Sequence, residues 1–562
     1  MAAVGQAACV PVGPIACAEG FRAGPRGWGC EAIRPTEPCA GAARARIGDT
    51  SCAPVSDCDA AFPPAGADAT VHGAAELVAA LGRVPAGGTI ALDAGTYNAI
   101  EIKKNIHLVG RCVSKVMFEG TGGVQGILVR TPKVTVSVRG ITITGFNGGV
   151  VAANGATIDL ADVAILASPY GIVGTAATVR GDGVVLEGPP ATGPHAGQGL
   201  LAVTSDKGAE VTLANADIRE YAGAIRSTDR GRATLRRSLV SSYSNLPESK
   251  HLFGSYSDGH VTIEESGVYI RQSKGTFAIV GRTFETVVQD KNPRPGRLRF
   301  VSSELSKADF DDAGWIFGVH EGARVELENT TVVHRADAAF DVRDAETTLS
   351  LKDSAILSTT QEGVAHTAVT VFSGAAAELE GVAIVSPSSS AIFVADLGSR
   401  VSFARSLVTG MHSGAGTSSL VADRACSISV DGSAIMDSDG YALIGNAASK
   451  ITISTSIFDG SGVGLGVAIT ATSSLAMNGS IVRKHGDAAL TFVLGARGTV
   501  SDSLFYDNKV AVHLDGSRIL EAAEGVVPVL GEGEVVFQRN TFTNNAEYLS
   551  TTPTTLLVRG EP

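Results

Sequence analysis

The stretches "RVELENTTVV" (Arg324–Val333), "TLSLKDSAIL" (Thr348–Leu357), "AAELEGVAIV" (Ala376–Val385) and "RVSFARSLVT" (Arg400–Thr409) decide the fold when they are laid under one another. "SISVDGSAIM" from Ser427, "KITISTSIFD" from Lys450 and "SLAMNGSIVR" from Ser474 continue the series. Each has alternating apolar residues, a polar break and a second apolar pair. Successive starts are 23 to 28 residues apart. Fainter copies lie upstream in "TVSVRGITIT", "ATIDLADVAI", "EVTLANADI" and "ATLRRSLV". A fixed period of this length is the signature of a repeat architecture.

Within each unit a further strand pattern follows, as in "AAFDV", "AIFVAD", "YALIGN", "AALTFV" and "VAVHLD". Two or three short strands per unit, joined by turns, describe one coil of a parallel β-helix. Helix formers and leucine-rich spacing are absent from the units, and a propeller would need a Gly/aromatic signature per blade. Alternation along each strand places Val325, Leu327 and Val332 on Leu349, Leu351 and Ile356 of the next coil. The expected fold class is all-β: a single right-handed parallel β-helix of about 17 coils from Ile106 to Val535, a rod roughly 80 Å long at ~4.8 Å per coil. A short capping helix is expected in "GAAELVAALGRV", with Leu77, Val78 and Leu81 on one face and a stop at Pro85.

Composition agrees. Gly makes up 67 of 562 residues and the aromatic fraction is 5%, which suits short strands between tight turns. With 45 Lys+Arg against 57 Asp+Glu the net charge is −12, and no basic run stands out, so no nucleic acid partner is expected. No 18-residue apolar run is present, so no transmembrane segment is expected. Six of the eight cysteines, Cys9, Cys17, Cys30, Cys39, Cys52 and Cys58, fall in the first 58 residues. Without a C-x-x-C pair they read as disulfides rather than zinc ligands, which implies an oxidising compartment. Cys112 and Cys426, in apolar strand-like runs, read as buried free thiols. The expected division is a Cys-rich module over 1–61, a linker over 62–70 and the β-helix with its cap over 71–562. The opening "MAAVGQAAC" has neither the basic nor the apolar region of a signal peptide; it faintly resembles the end of a lipoprotein cleavage box.

The stretch "GGTIALDAGTYNAIEIKKNIHLVGRC" (Gly87–Cys112) resembles the opening coil of pectin-lyase-like, right-handed parallel β-helix proteins. There a short helix precedes a "TI-x-L-x-x-GTY" strand-turn and an "I-x-L-x-G" strand. Together with the Cys-rich start, "LVGRC" is similar to exported β-helix proteins of myxobacterial type. What the resemblance implies is architecture, because the fold hosts lyases, hydrolases, adhesins and proteins without known activity. Neither the calcium aspartates and catalytic arginine of pectate lyases nor the paired Asp of the β-helix hydrolases has a matching motif here.

One cluster stands out from the repeat. "ADFDDAGW" (Ala308–Trp315) packs Asp309, Asp311 and Asp312 into the turn between the repeat unit and its following strand. Later coils hold Asp337, Ser390, Asp439-Gly440, Asp487 and Asn508 there, which favours a plain corner of αL-tolerant residues. The same corner also carries three insertions, Glu187–Gly199, Ser242–Lys250 and Glu304–Gly314, which would wall a groove; a fourth, Thr283–Gly296, leaves from the other end of a coil. Candidate catalytic residues in that groove are Asp311, Asp312, His195 and Lys250. Candidate ligand contacts are Asp309, Trp315, Tyr243, His251 and Glu248. Asp309, Asp311 and Asp312 suit Ca²⁺, which takes several oxygen ligands, and no other cofactor is expected. The functional expectation is an extracytoplasmic, secreted or cell-surface β-helix that binds or displays, adhesin-like, with a polysaccharide or an envelope component as partner. The alternatives are a polysaccharide lyase or glycoside hydrolase with an acidic groove, and a passive structural envelope protein.

Overall fold

The computed structural model describes residues 11–24, 27–190, 201–242, 251–270, 276–280, 294–307, 315–335, 338–359, 366–411, 417–520, 531 and 533–551. Among these residues the fold is a parallel β-solenoid of about 16 turns with one helix and disulfides near its start. The chain divides into two compact units, each described by itself. The first holds Cys17–Gly24 and Cys30–Phe310; the second holds Met1–Ala16, Pro25–Gly29 and Asp311–Pro562.

Each coil contributes one strand to each of three parallel sheets. In the first unit, Thr135–Arg139 belongs to face one, Thr142–Thr144 to face two and Gly148–Ala153 to face three. Each pairs in parallel with its equivalent one coil on, as in Val136↔Ile158, Ile143↔Ile165 and Val150↔Ile172. In the second unit Val325 pairs with Leu349, Leu327 with Leu351 and Val332 with Ile356, and all six are buried. The core is therefore a set of aliphatic columns, closed one coil at a time.

The helix Ala74–Arg83 buries Leu77 and Ala80, while Val78 is 65% exposed. The expected face is thus corrected by one step around the helix. The strand Ala69–Val71 already pairs with Ile90–Leu92.

The corner between faces one and two explains the polar break of the repeat. A residue in the left-handed region comes first: Arg237, Asp353, Arg405, Thr455 and Asp502 all have φ between 46° and 51°. A buried serine follows, and its hydroxyl accepts from the backbone N–H of the previous coil's equivalent. Ser433 N donates to Ser456 Oγ at 3.2 Å, Ser456 N to Ser480 Oγ at 3.2 Å and Ser480 N to Ser503 Oγ at 3.2 Å. In the first unit Ser238 N donates to Ser266 Oγ and Ser266 N to Ser303 Oγ, both at 3.1 Å. Left-handed backbone costs a non-glycine residue about 1–2 kcal/mol. The ladder offsets that by satisfying buried donors the sharp corner would otherwise orphan. At the corner between faces two and three, Asn508 and Asn545 do similar work: Asn508 N and Nδ2 both donate to Asn545 Oδ1, at 3.1 and 2.9 Å.

The cysteine-rich segment lies on face two. Three disulfides form, Cys17–Cys30, Cys39–Cys52 and Cys58–Cys112. Cys112 is thus not the free thiol its sequence context implies: the segment returns to the first coils and brings Cys58 within 5.1 Å Cα–Cα of it. Cys426 is free and buried. Cys9 lies outside the described residues. In the first unit Phe21, Ala32 and Ile47 pack with Leu239 and Tyr269, and Val55 packs with Val113, Ala164 and Val185. In the second unit Val12 and Trp28 pack against Ala355, Ala383 and Val385.

Candidate functional site

Asp309, Asp311, Asp312, His195, Lys250, Tyr243 and Glu248 lie outside the described residues, and so does the side chain of His251, whose backbone opens the face-three strand His251–Ser255. Trp315 is placed. It opens the face-three strand Trp315–Val319 of the second unit, directly after the acidic stretch. Tyr256, which follows the strand His251–Ser255, is only 4% exposed.

Around Trp315 the alternation of face three assembles a polar and aromatic cluster. Asp341 points outward from the next strand, between the inward-facing Phe340 and Val342, yet is 1% exposed. Its two carboxylate oxygens lie 3.0 and 2.8 Å from Arg343 Nε, and Thr370 Oγ1, one coil on, donates to Oδ1 at 3.1 Å. The Arg343 side chain is 44% exposed. Its guanidinium lies 5.1 Å from the Trp315 ring centre and 5.5 Å from that of Phe372. Phe393 continues the aromatic run at 5.7 Å from Phe372. His320 closes the other side, its ring 5.9 Å from Trp315. Burial lowers the His320 pKa, and the Asp341 and Asp344 carboxylates oppose that shift. His320 therefore sits against an aromatic wall.

The chemistry of this arrangement is recognition. A planar guanidinium fixed by a buried carboxylate keeps its remaining N–H groups aimed at solvent between aromatic surfaces. Aromatic faces take the apolar side of a flat ligand, and a fixed donor fork takes its oxygens. Sequence reasoning found Trp315 and missed Asp341, Arg343 and Phe372. The signal was there in "FDVR", where Asp and Arg two residues apart must share a side.

Other titratable groups are differently employed. Arg219, 3% exposed on face two, donates to Asp217 at 2.8 Å, to Glu187 at 2.8 Å and to the carbonyls of Gly41 and Ala43. Ala45 N donates to Asp217, and Gly41 N to Glu187. Tyr269 OH and Ala32 N both donate to Glu304 Oε2, at 2.6 and 2.7 Å. Desolvation raises the carboxyl pKa of Asp217 and of Glu304. These groups hold the disulfide-bearing segment. Beside them, directly after the face-two strand Asp217–Arg219, Glu220 is half-buried, and desolvation followed by the neighbouring Glu187 charge pushes its pKa up to about 6. His334 and His366 are buried in the coil interior with ring centres 6.2 Å apart. Among the described residues no group of His, Cys, Asp and Glu is arranged to hold a metal ion.

Residues 390–552 match the family model described as right handed beta helix region. The fold is a right-handed parallel β-helix. No curated protein matches the chain significantly. Among solved structures it is similar to the Streptococcus pneumoniae surface protein and adhesin PfbA, with 12% identity over 70% of this chain and 93% of that one and a TM-score of 0.32. It is also similar to the alginate lyase AlyGC, at 8% identity, 86% and 100% coverage and a TM-score of 0.25. A third similarity is to the A-module of the Azotobacter vinelandii mannuronan C-5 epimerase AlgE6, at 11%, 84% and 92%, and 0.22. These similarities say nothing of what the site binds.

Proposed function

We propose that this protein is an extracytoplasmic binding protein that takes a carbohydrate chain on face three of its second unit. The observation that carries the reading is the Arg343 guanidinium held by buried Asp341 between Trp315 and Phe372. Sugars present an apolar C–H face and an equatorial rim of hydroxyls, which is what an aromatic surface with a fixed donor fork complements. The disulfides support an oxidising compartment. No helix among the described residues is long and apolar enough to cross a membrane.

Affinity electrophoresis of the whole protein through neutral polysaccharides tests this. Retardation that Trp315→Ala and Arg343→Ala each abolish is expected; retardation that both variants keep would overturn the assignment. A second reading, cleavage of a glycan at the first unit, is favoured by Glu220, whose pKa of about 6 suits a general acid. It predicts release of oligosaccharides that Glu220→Gln stops and that declines above pH 6.

A further inference from the structure

Face one of the second unit carries a row of cations in strict register. Arg400 pairs with Ser427, Ser427 with Lys450, Lys450 with Ser474 and Ser474 with Arg497. A cation therefore stands on every second coil, with a serine between. All three cations are exposed, and none has an ion-pair partner among the described residues. That is unusual in a chain with a net charge of −12. The acids on the opposite edge of the sheet are engaged locally: Glu380 pairs with Arg405, and Asp431 accepts from Ser454 and Thr455. Between the edges run the small outward residues Ser402, Ser429 and Thr452, which leave a groove of about 290 Å³ beside Arg400 and Lys450, and the exposed Glu378 carboxylate closes its end one coil before Arg400.

We infer that this face binds a second ligand, a linear acidic polysaccharide lying along the coil axis. Like charges recur at twice the ~4.8 Å strand spacing, about 10 Å. A sugar in an extended chain spans about one strand spacing, so one coil meets one sugar and every second sugar meets a cation. The serine and threonine hydroxyls between the cations face the sugar hydroxyls. A nucleic acid strand fits poorly, because its charges recur about every 3.4 Å and it relies on aromatic stacking partners that this row lacks. The site is independent of the face-three platform, and neither Trp315 nor Arg343 contributes to it.

The test uses the full chain and oligosaccharides of hyaluronan, which carry a carboxylate on alternate sugars, titrated by calorimetry at low and moderate salt. Arg400→Ser and Lys450→Ser restore the neighbouring residue of the row, so the fold is preserved. Each should weaken binding about tenfold, the worth of one charge-assisted contact, and the salt dependence should flatten with each cation removed. The paired change Arg400→Ser with Ser427→Arg keeps the charge and destroys the period. It should bind as weakly as Arg400→Ser, whereas wild-type affinity would reduce the row to a diffuse patch and overturn the inference. So would wild-type binding no tighter than that of the triple variant Arg400→Ser, Lys450→Ser, Arg497→Ser, or equal affinity for oligothymidylate. Trp315→Ala should bind these oligosaccharides unchanged, which separates failure of this site from failure of face three.

Discussion

At the scale of single residues, the interior is as informative as the surface. His485 is 2% exposed at the corner between faces two and three, where later coils place Asn508 and Asn545. Desolvation lowers its pKa to about 4. A buried base with a depressed pKa contributes stability that is complete above its unfolded value near 6.5 and is lost as pH falls through the folded value. Urea unfolding should show a loss of up to about 3 kcal/mol between pH 7 and pH 4. His485→Asn, which extends the asparagine column, should remove most of that dependence; an unchanged profile would place the acid sensitivity elsewhere. Glu220 runs the other way. Its folded pKa of about 6 lies above the unfolded value of 4.5, so its contribution is lost as pH rises through that window. Glu220→Gln should therefore raise the melting temperature at pH 8 and leave it unchanged at pH 4. On the face-three platform Arg343→Lys keeps the charge but loses the planar fork between Trp315 and Phe372. Carbohydrate affinity should fall about tenfold, with folding nearly unchanged.

At the scale of the strand and corner, stability is distributed along ladders. Ser456 and Ser429 are both serines of the same repeat, but only Ser456 lies buried in a corner. Ser456→Ala leaves the Ser433 N–H without its acceptor and should cost about 1–3 kcal/mol. Ser429→Ala on exposed face one should stay within about 0.5 kcal/mol. Equal effects, measured by denaturant midpoints, would mean the ladder carries no special share. The strands themselves were legible in the sequence, because an apolar residue at every second position can stack only on its equivalent one coil away. Val325 on Leu349 and Val332 on Ile356 follow from that alone. The cation row was in plain view as well, since "RVSFA" and "KITIS" open on Arg400 and Lys450. Its meaning depends on coil register, which emerges only when every second strand is compared.

At the scale of the whole chain, the cysteine-rich segment shows where sequence reading stops. Its cysteines announced disulfides, but the Cys58–Cys112 pairing depends on where the segment lies, and no local pattern encodes that. Nor does periodicity distinguish Asp217 and Arg219 on a covered face from ordinary solvated charges; only the carbonyls of Gly41 and Ala43 above them make the difference. By loop-closure entropy the 54-residue separation of Cys58 and Cys112 contributes about 4 kcal/mol at most. Cys58→Ser with Cys112→Ser should lower stability by about 2–4 kcal/mol without changing the β-sheet circular dichroism. The acidic stretch that drew attention to face three, Asp309 to Asp312, lies outside the described residues. The platform that opens on Trp315 was missed because its parts come from three successive coils.

The chain contains two tryptophans, Trp28 and Trp315, and Trp28 packs within the segment on face two. In Trp28→Phe protein the fluorescence therefore reports the face-three platform alone. Titration with neutral oligosaccharides should give a saturable change in that emission, lost when Arg343→Ala is added. Emission that stays flat while the same oligosaccharides bind by calorimetry would contradict the platform as the binding site.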